Sequence, residues 1–120
     1  MKVSVVIPTY NGERTIRRAI ESVIAQTAVA EFEILICDDC SRDGTLAISS
    51  EYPQCRLFCN REHSGGPNAG RNMGIKHATG EVIAFLDQDD EWLSDKVQNQ
   101  LKQLNEGYEF IYSPCVKVME

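Results

Sequence analysis

Strand-like and helix-like segments alternate along the whole 120-residue chain, and that alternation limits the folds open to it. "VSVVI" (3–7) is a short β-branched run closed by Pro8. Ile16, Ile20, Val23 and Ile24 then recur at helical spacing, with Arg17, Arg18 and Glu21 facing outward and Asn11 as the expected N-cap. "FEILIC" (32–37) predicts a second strand, followed by a short helix from about Thr45 with Ser41 or Asp43 as cap. "CRLFCN" (55–60) is a third strand. A Gly-rich turn leads to a third helix, with Ala69, Met73 and Ile75 as its apolar residues and Gly80 as its stop. "EVIAFL" (81–86) is apolar without alternation and reads as a central strand buried on both faces. "WLSDKVQNQLKQLNEG" predicts a fourth helix with Val97, Leu101 and Leu104 inward, and "YEFIYS" (108–113) a last strand. This order predicts one α/β domain over residues 1–120, a doubly wound, mostly parallel sheet with flanking helices.

Ligands of such sheets bind outside the carboxyl ends of the strands. The polar residues of this chain collect there: Thr9-Tyr10-Asn11, Asp38-Asp39 and Asp87-Gln88-Asp89-Asp90. In extended chain Asp87 and Asp89 point the same way, and two close carboxylates repel unless a cation intervenes. Hard divalent metals take oxygen ligands of this kind, although an acidic turn before a helix has the same composition. At Asp38-Asp39, a carboxylate can accept the imino N–H of uracil, thymine or guanine, whereas cytosine presents an acceptor there. One of the pair, Asp38, is expected to serve local structure. Gly65 and Gly70 have the glycine spacing of a Walker A loop, but Arg71-Asn72 replaces its Lys-Ser/Thr, and no G-x-G-x-x-G follows the first strand. ATPase and NAD readings lose their defining contacts, while Arg71 offers a fixed, planar donor fork at the same rim.

The net charge of −6 argues against nucleic acid or an anionic membrane as main partner. It allows a phosphate ligand if a metal supplies the positive charge. No apolar run has the length of a membrane span, and the start "MKVSVVIP" is too short for a signal peptide, so a cytosolic protein is expected. The odd count of five cysteines argues against a disulfide framework. Cys37, Cys40, Cys55 and Cys59 approach zinc-ribbon spacing. Against zinc, Cys37 ends an apolar run, and the residues between Cys37 and Cys40 are two aspartates rather than a tight glycine turn.

"VSVVIPTYNGERTIRRAIESVIAQT", "EILICDDCSRDGT" and "GGPNAGRNMGIKHATGEVIAFLDQDDEW" resemble, in order and spacing, the family 2 glycosyltransferases. These are inverting enzymes of GT-A fold that use nucleotide-diphosphate sugars. The resemblance implies that Pro8, Thr9, Tyr10 and Asn11 lie at the nucleotide, that Asp39 reads the base, and that Arg71 lies near base and phosphates. It implies that Asp87 and Asp89, with Asp90 beside them, form a metal motif for Mn2+ or Mg2+, Asp87 also touching the nucleotide. The implied reaction is a metal-assisted single displacement from a UDP-, TDP- or GDP-linked sugar to the hydroxyl of an unknown sugar or glycan acceptor. Cys40 departs from the glycine common at its place, and Gly70 from alanine. The family continues with an acceptor-binding half carrying the catalytic base, so no catalytic residue is assigned. A fragment or shortened homologue is expected, one that binds donor without transferring it and self-associates through an apolar patch beside "FIYS". A non-catalytic nucleotide-sugar-binding module is the alternative, and the expected location is the cytoplasm, at the inner face of a membrane.

Overall fold

In a computed structural model of the chain, residues 1–66, 68–105 and 116–117 are described. The elements run β1 (Lys2–Thr9), α1 (Ile16–Ile24), β2 (Glu31–Asp38), α2 (Thr45–Ser49), β3 (Cys55–Cys59) and α3 (Asn68–His77). They continue with β4 (Val82–Phe85), β5 (Asp90–Glu91), α4 (Lys96–Asn105) and β6 (Val116–Lys117). Four strands form a wholly parallel sheet in the order β3-β2-β1-β4. The expected last strand over 108–113 lies outside the described residues, whereas β6 pairs antiparallel with β5.

Strand alternation divides the interior into two layers. Val3, Val5 and Ile7 of β1 and Ile34 and Ile36 of β2 meet Ile16, Ala19, Ile20 and Val23 of α1, with Val97 of α4 and Trp92 in the same cluster. On the opposite face Val6, Leu35 and Cys37 pack with Met73 and Ala78. Both faces of β1 and β2 are therefore covered, which is why these strands read as continuous apolar runs.

Helix α3 approaches its face of the sheet through glycine. Gly70 and Gly74 are its buried residues, and a Cβ on Gly74 would stand 2.3 Å from Val6 Cγ1. Ile75, expected among the apolar residues of this helix, is exposed instead, because the close approach places Gly70 and Gly74 against the strands.

Other expectations shift for local reasons. The residue before α1 in the N-cap position is Thr15, not Asn11; Gly12 O accepts from Thr15 N and Ile16 N, while Asn11 takes a left-handed φ of 46° and bonds elsewhere. Ile24 ends α1 half-exposed rather than inward. Gly44 stands at the N-cap of α2, although Asp43 Oδ1 does accept from Thr45 N at 3.0 Å. Helix α4 begins at Lys96 rather than Trp92, whose ring is buried in the core; Gln26 Oε1 accepts from Val97 N and Gln26 Nε2 donates to Leu93 O. Strand β4 is not central among the described strands. It ends the sheet, and Ile83 and Phe85 remain 39% and 42% exposed because α3 covers β1 and β2.

At the amino end of the sheet a buried Glu33 ties three segments together. It accepts from Ser4 Oγ at 2.7 Å, Thr79 N at 3.0 Å and Arg56 Nη1 at 2.7 Å. Burial pushes this carboxyl up, but the donors from Ser4, Thr79 and Arg56 outweigh burial and hold its pKa at about 2.

Two outcomes follow for stability. Gly74→Ala should destabilise the fold by about 1–3 kcal/mol through overpacking against Val6, despite up to ~1 kcal/mol of improved helix propensity. Ile75→Ala, on the exposed side of the same helix, should change stability by no more than about 0.5 kcal/mol in the same denaturant titration. Glu33, with its folded pKa below the ordinary 4.5, contributes stability that is present above pH 4.5 and lost as pH falls towards about 2. Unfolding free energies measured across that window should fall by on the order of 1–3 kcal/mol more in the native protein than in Glu33→Gln.

Candidate functional site

The order β3-β2-β1-β4 means the chain builds outward from β1 in one direction and then crosses to its other side for β4. Beyond the carboxyl ends of β1 and β4 the connecting segments must diverge, and a crevice opens at that switch point. The β4 ladder stops at Val6, so Pro8, which has no N–H to give, lies past the last β4 partner. An open cleft of about 510 Å3 occupies this place. Its walls include Pro8, Thr9 and Tyr10 after β1, Asp39 after β2, Arg71 on α3, and Asp87 and Asp89 after β4.

The structure separates the two aspartates after β2. Asp38 is fully buried and accepts from Thr9 Oγ1 at 2.6 Å, Ser41 Oγ at 2.6 Å and Ser41 N at 2.8 Å. It serves local structure, as expected, and Thr9 presents its hydroxyl to Asp38. Asp39 turns into the cleft and is met there by the segment after β3. Its carboxylate accepts from Asn60 Nδ2 at 2.8 Å and from Ser64 N at 2.9 Å, and His63 Nδ1 lies 2.7 Å from Oδ2. Burial acts to raise the Asp39 pKa, but the bonds from Asn60, Ser64 and Gly65 outweigh it and hold the value at about 2. Successive residues at a strand end point to opposite sides, which sends these carboxylates apart. Cys40, the next residue, takes a left-handed φ of 65°, where a Cβ costs about 1–2 kcal/mol, so glycine suits this place.

Asp87 and Asp89 line the far wall and Asp90 is buried beside them; one carboxylate oxygen from each of the three lies within 4.8 Å of the others. Arg71 Nη2 sits 3.4 Å from Asp87 Oδ1, and both side chains are partly exposed, so the pair is weak and its fork stays available to another anion. Asn11 is not among the cleft-lining residues. Its N–H donates to Ser41 Oγ at 2.8 Å and its Oδ1 accepts from Arg42 N at 2.9 Å, bracing the turn after β1 against the loop after β2.

Two residues of the site were assigned no role by the sequence. Gln88, the middle residue of the Asp-x-Asp motif, accepts from Tyr10 N at 2.8 Å through Oε1 and donates to Tyr10 O at 3.0 Å through Nε2. This two-bond clamp joins the β1 and β4 rims across the switch point. Gly12 makes room for it, since a Cβ there would stand 2.4 Å from Gln88 Oε1. His63 stacks on the Tyr10 ring, with centroids 4.0 Å apart and planes at 25°. Neither had a sequence signal beyond nearness to a motif, because each acts through a partner distant in the chain.

The zinc reading is not supported. Among the described residues, the group of three or more potential ligands is the aspartate cluster, not the cysteines. Cys37, Cys40, Cys55 and Cys59 are free thiols, and burial raises those of Cys37 and Cys55 to about 11 and about 12. Such thiols are small buried hydrophobes rather than ligands.

The clamp gives a direct expectation. In Gln88→Ala the Tyr10 amide should exchange with solvent several-fold faster, for the loss of about 1 kcal/mol of hydrogen bonding. Global stability should change by less than about 1 kcal/mol, so amide exchange followed by NMR separates local loosening from unfolding.

Comparison with known proteins agrees with this geometry. Residues 4–119 match the family described as Glycosyl transferase family 2. The chain is 39% identical over 112 residues to an Escherichia coli UDP-Glc:alpha-D-GlcNAc-diphosphoundecaprenol beta-1,3-glucosyltransferase, covering 92% of this chain and 44% of that protein. It is 34% identical over 119 residues to a Campylobacter jejuni GalNAc(5)-diNAcBac-PP-undecaprenol beta-1,3-glucosyltransferase, covering 96% of this chain and 38% of that one. The chain thus spans less than half the length of these relatives. Residues 1-349 of Staphylococcus aureus TarS, solved in complex with UDP, superpose with a TM-score of 0.84 at 31% identity, over 95% of this chain and 38% of that one. A Pyrobaculum calidifontis mannosyltransferase, solved with GDP-Man and Mn2+, gives 0.75 at 29% identity, over 85% and 32%. With its doubly wound parallel sheet and the aspartates at the switch point, the chain belongs to glycosyl transferase family 2.

Proposed function

We propose that this chain is a single nucleotide-sugar-binding domain, the donor side of an enzyme moving a sugar from a UDP-, TDP- or GDP-linked donor to an acceptor hydroxyl with inversion. The observation that carries this reading is the convergence on one switch-point cleft of an aromatic ring, an acceptor carboxylate, an arginine, and Asp87 and Asp89, whose carboxylates cluster with that of the buried Asp90. Tyr10 offers a stacking face, and Asp39 is the group suited to an imino N–H. Arg71 on α3 lines the same cleft, 3.4 Å from Asp87, and suits the phosphates. Support comes from the TarS complexes with UDP and UDP-GlcNAc and the mannosyltransferase complex with GDP-Man and Mn2+.

The aspartate cluster fits a hard divalent cation, because its carboxylate oxygens converge and such cations take oxygen ligands. Asp87, Asp89 and Asp90 would hold Mn2+ or Mg2+, which when bound offsets the charge on a leaving nucleoside diphosphate. The rest of the cleft acts by binding and orientation, the Tyr10–Gln88 clamp fixing the distance between the base side and the diphosphate side. The acceptor hydroxyl and the base that activates it are assigned to no residue here.

The names of the Escherichia coli and Campylobacter jejuni relatives specify undecaprenol-linked acceptors, which supports a place in the cytoplasm at the inner face of a membrane. No helix of the described residues is long and apolar enough to cross a membrane. We also include self-association in this proposal.

Calorimetry with UDP, TDP, GDP and CDP, each with Mn2+ and with EDTA, tests the reading. A diphosphate with an imino N–H base should bind in Mn2+ and weaken by at least tenfold in EDTA, and CDP should bind worst. Asp89→Asn should lose most of the metal dependence, since it removes a charge while nearly keeping shape. Equal affinity with and without metal would remove the aspartates from the site. Donor binding without turnover across an acceptor panel would leave the non-catalytic module as the better description.

A further inference from the structure

His63 already makes both contacts that a nucleobase would need. Its ring lies on Tyr10 at 4.0 Å, and its Nδ1 stands 2.7 Å from Asp39 Oδ2. The Asp39 carboxylate has about four lone-pair directions. Oδ1 takes Asn60 Nδ2 and Ser64 N, while Oδ2 takes Ser64 N at 3.0 Å and Gly65 N at 3.3 Å besides the imidazole. No direction is left for an incoming imino N–H until one donor leaves. The Ser64 and Gly65 amides can leave only by moving the backbone. The imidazole is 44% exposed and can leave by rotating about its own side-chain torsions.

Resting on the nucleotide reading above, we propose that His63 is a placeholder in the nucleobase site. Its planar ring and N–H occupy Tyr10 and Asp39 in the manner of a uracil-, thymine- or guanine-type base, and donor binding displaces it. A base with an imino N–H restores both interactions as the imidazole departs. A base without that donor restores the stacking alone and leaves Asp39 short of one partner. His63 thus lowers affinity for every nucleotide and lowers it most for the wrong base.

The groups touching the imidazole are Tyr10 after β1 and Asp39 after β2; Arg61 and Glu62 flank it on its own segment. The bonds that hold Asp39 at about 2 keep it a charged acceptor at neutral pH, so the imidazole and an incoming base compete for one carboxylate.

Uridine is the probe, because it carries neither phosphate nor metal dependence. Its dissociation constant would be measured by NMR titration at neutral pH for the native protein, His63→Ala and His63→Phe. His63→Ala should bind on the order of tenfold tighter than the native protein. His63→Phe keeps a ring for Tyr10 but offers no N–H to Asp39, and should fall between the two. Unchanged or weaker binding in His63→Ala would overturn the proposal, showing that the ring is indifferent or supports the base. If no variant binds uridine, and none binds UDP with Mn2+ by calorimetry, the nucleotide reading fails and this inference fails with it.

Discussion

Two-sided burial of β1 and β2 is the constraint from which the rest of the molecule follows. Val5, Val6, Ile7 and Ile34 through Cys37 are shut off from solvent, one set beneath α1 and the other beneath α3. A polar group inside either strand would lose its hydration without a partner. Polar side chains of these strands therefore gather at their ends, where they are matched with donors. Ser4 and Glu33 occupy one end, Thr9 and Asp38 the other. The first pair closes the sheet around Thr79 and Arg56, and the second anchors the loops from which the cleft is made.

The acidic residues differ in what balances them. Glu33 and Asp38 are bonded within the scaffold, and each joins segments far apart in the chain. Asp39 is equally well bonded, but its partners come from a surface segment, and one of them is the partly exposed His63 side chain. Asp87 has Arg71 as a nearby cation, and that contact is long and half-exposed. These charges thus differ in how far the scaffold compensates them, and a net-charge argument from composition reports only their sum.

Glycine sets the distance between α3 and the sheet, and so the position of Arg71. A Cβ on Gly70 would meet Pro8 Cβ at 3.0 Å and Cys37 O at 3.2 Å, and one on Gly74 would overlap Val6. The helix axis lies close to the strands because these two positions have no side chain. Arg71, next to Gly70, is carried to the cleft wall by that approach, and Gln88 reaches Tyr10 only where Gly12 leaves space.

The sequence by itself determined the alternation of elements, the two apolar strands and the polar residues that follow each strand. These are local properties: side-chain period, β-branching and the breaks at Pro and Gly are written in adjacent residues. Family motifs added identity to the same positions. Tertiary structure alone decided that β4 ends the described sheet, because a run of apolar residues looks the same whether one or two faces are covered. It decided that Trp92 belongs to the core rather than to a helix, since Ser22 and Gln26 meet the chain there from about 70 residues away. It also decided that Gln88 and His63 belong to the site. Their contacts with Tyr10 and Asp39 cross between segments brought together by strand order, and no periodicity in the chain encodes which loop meets which.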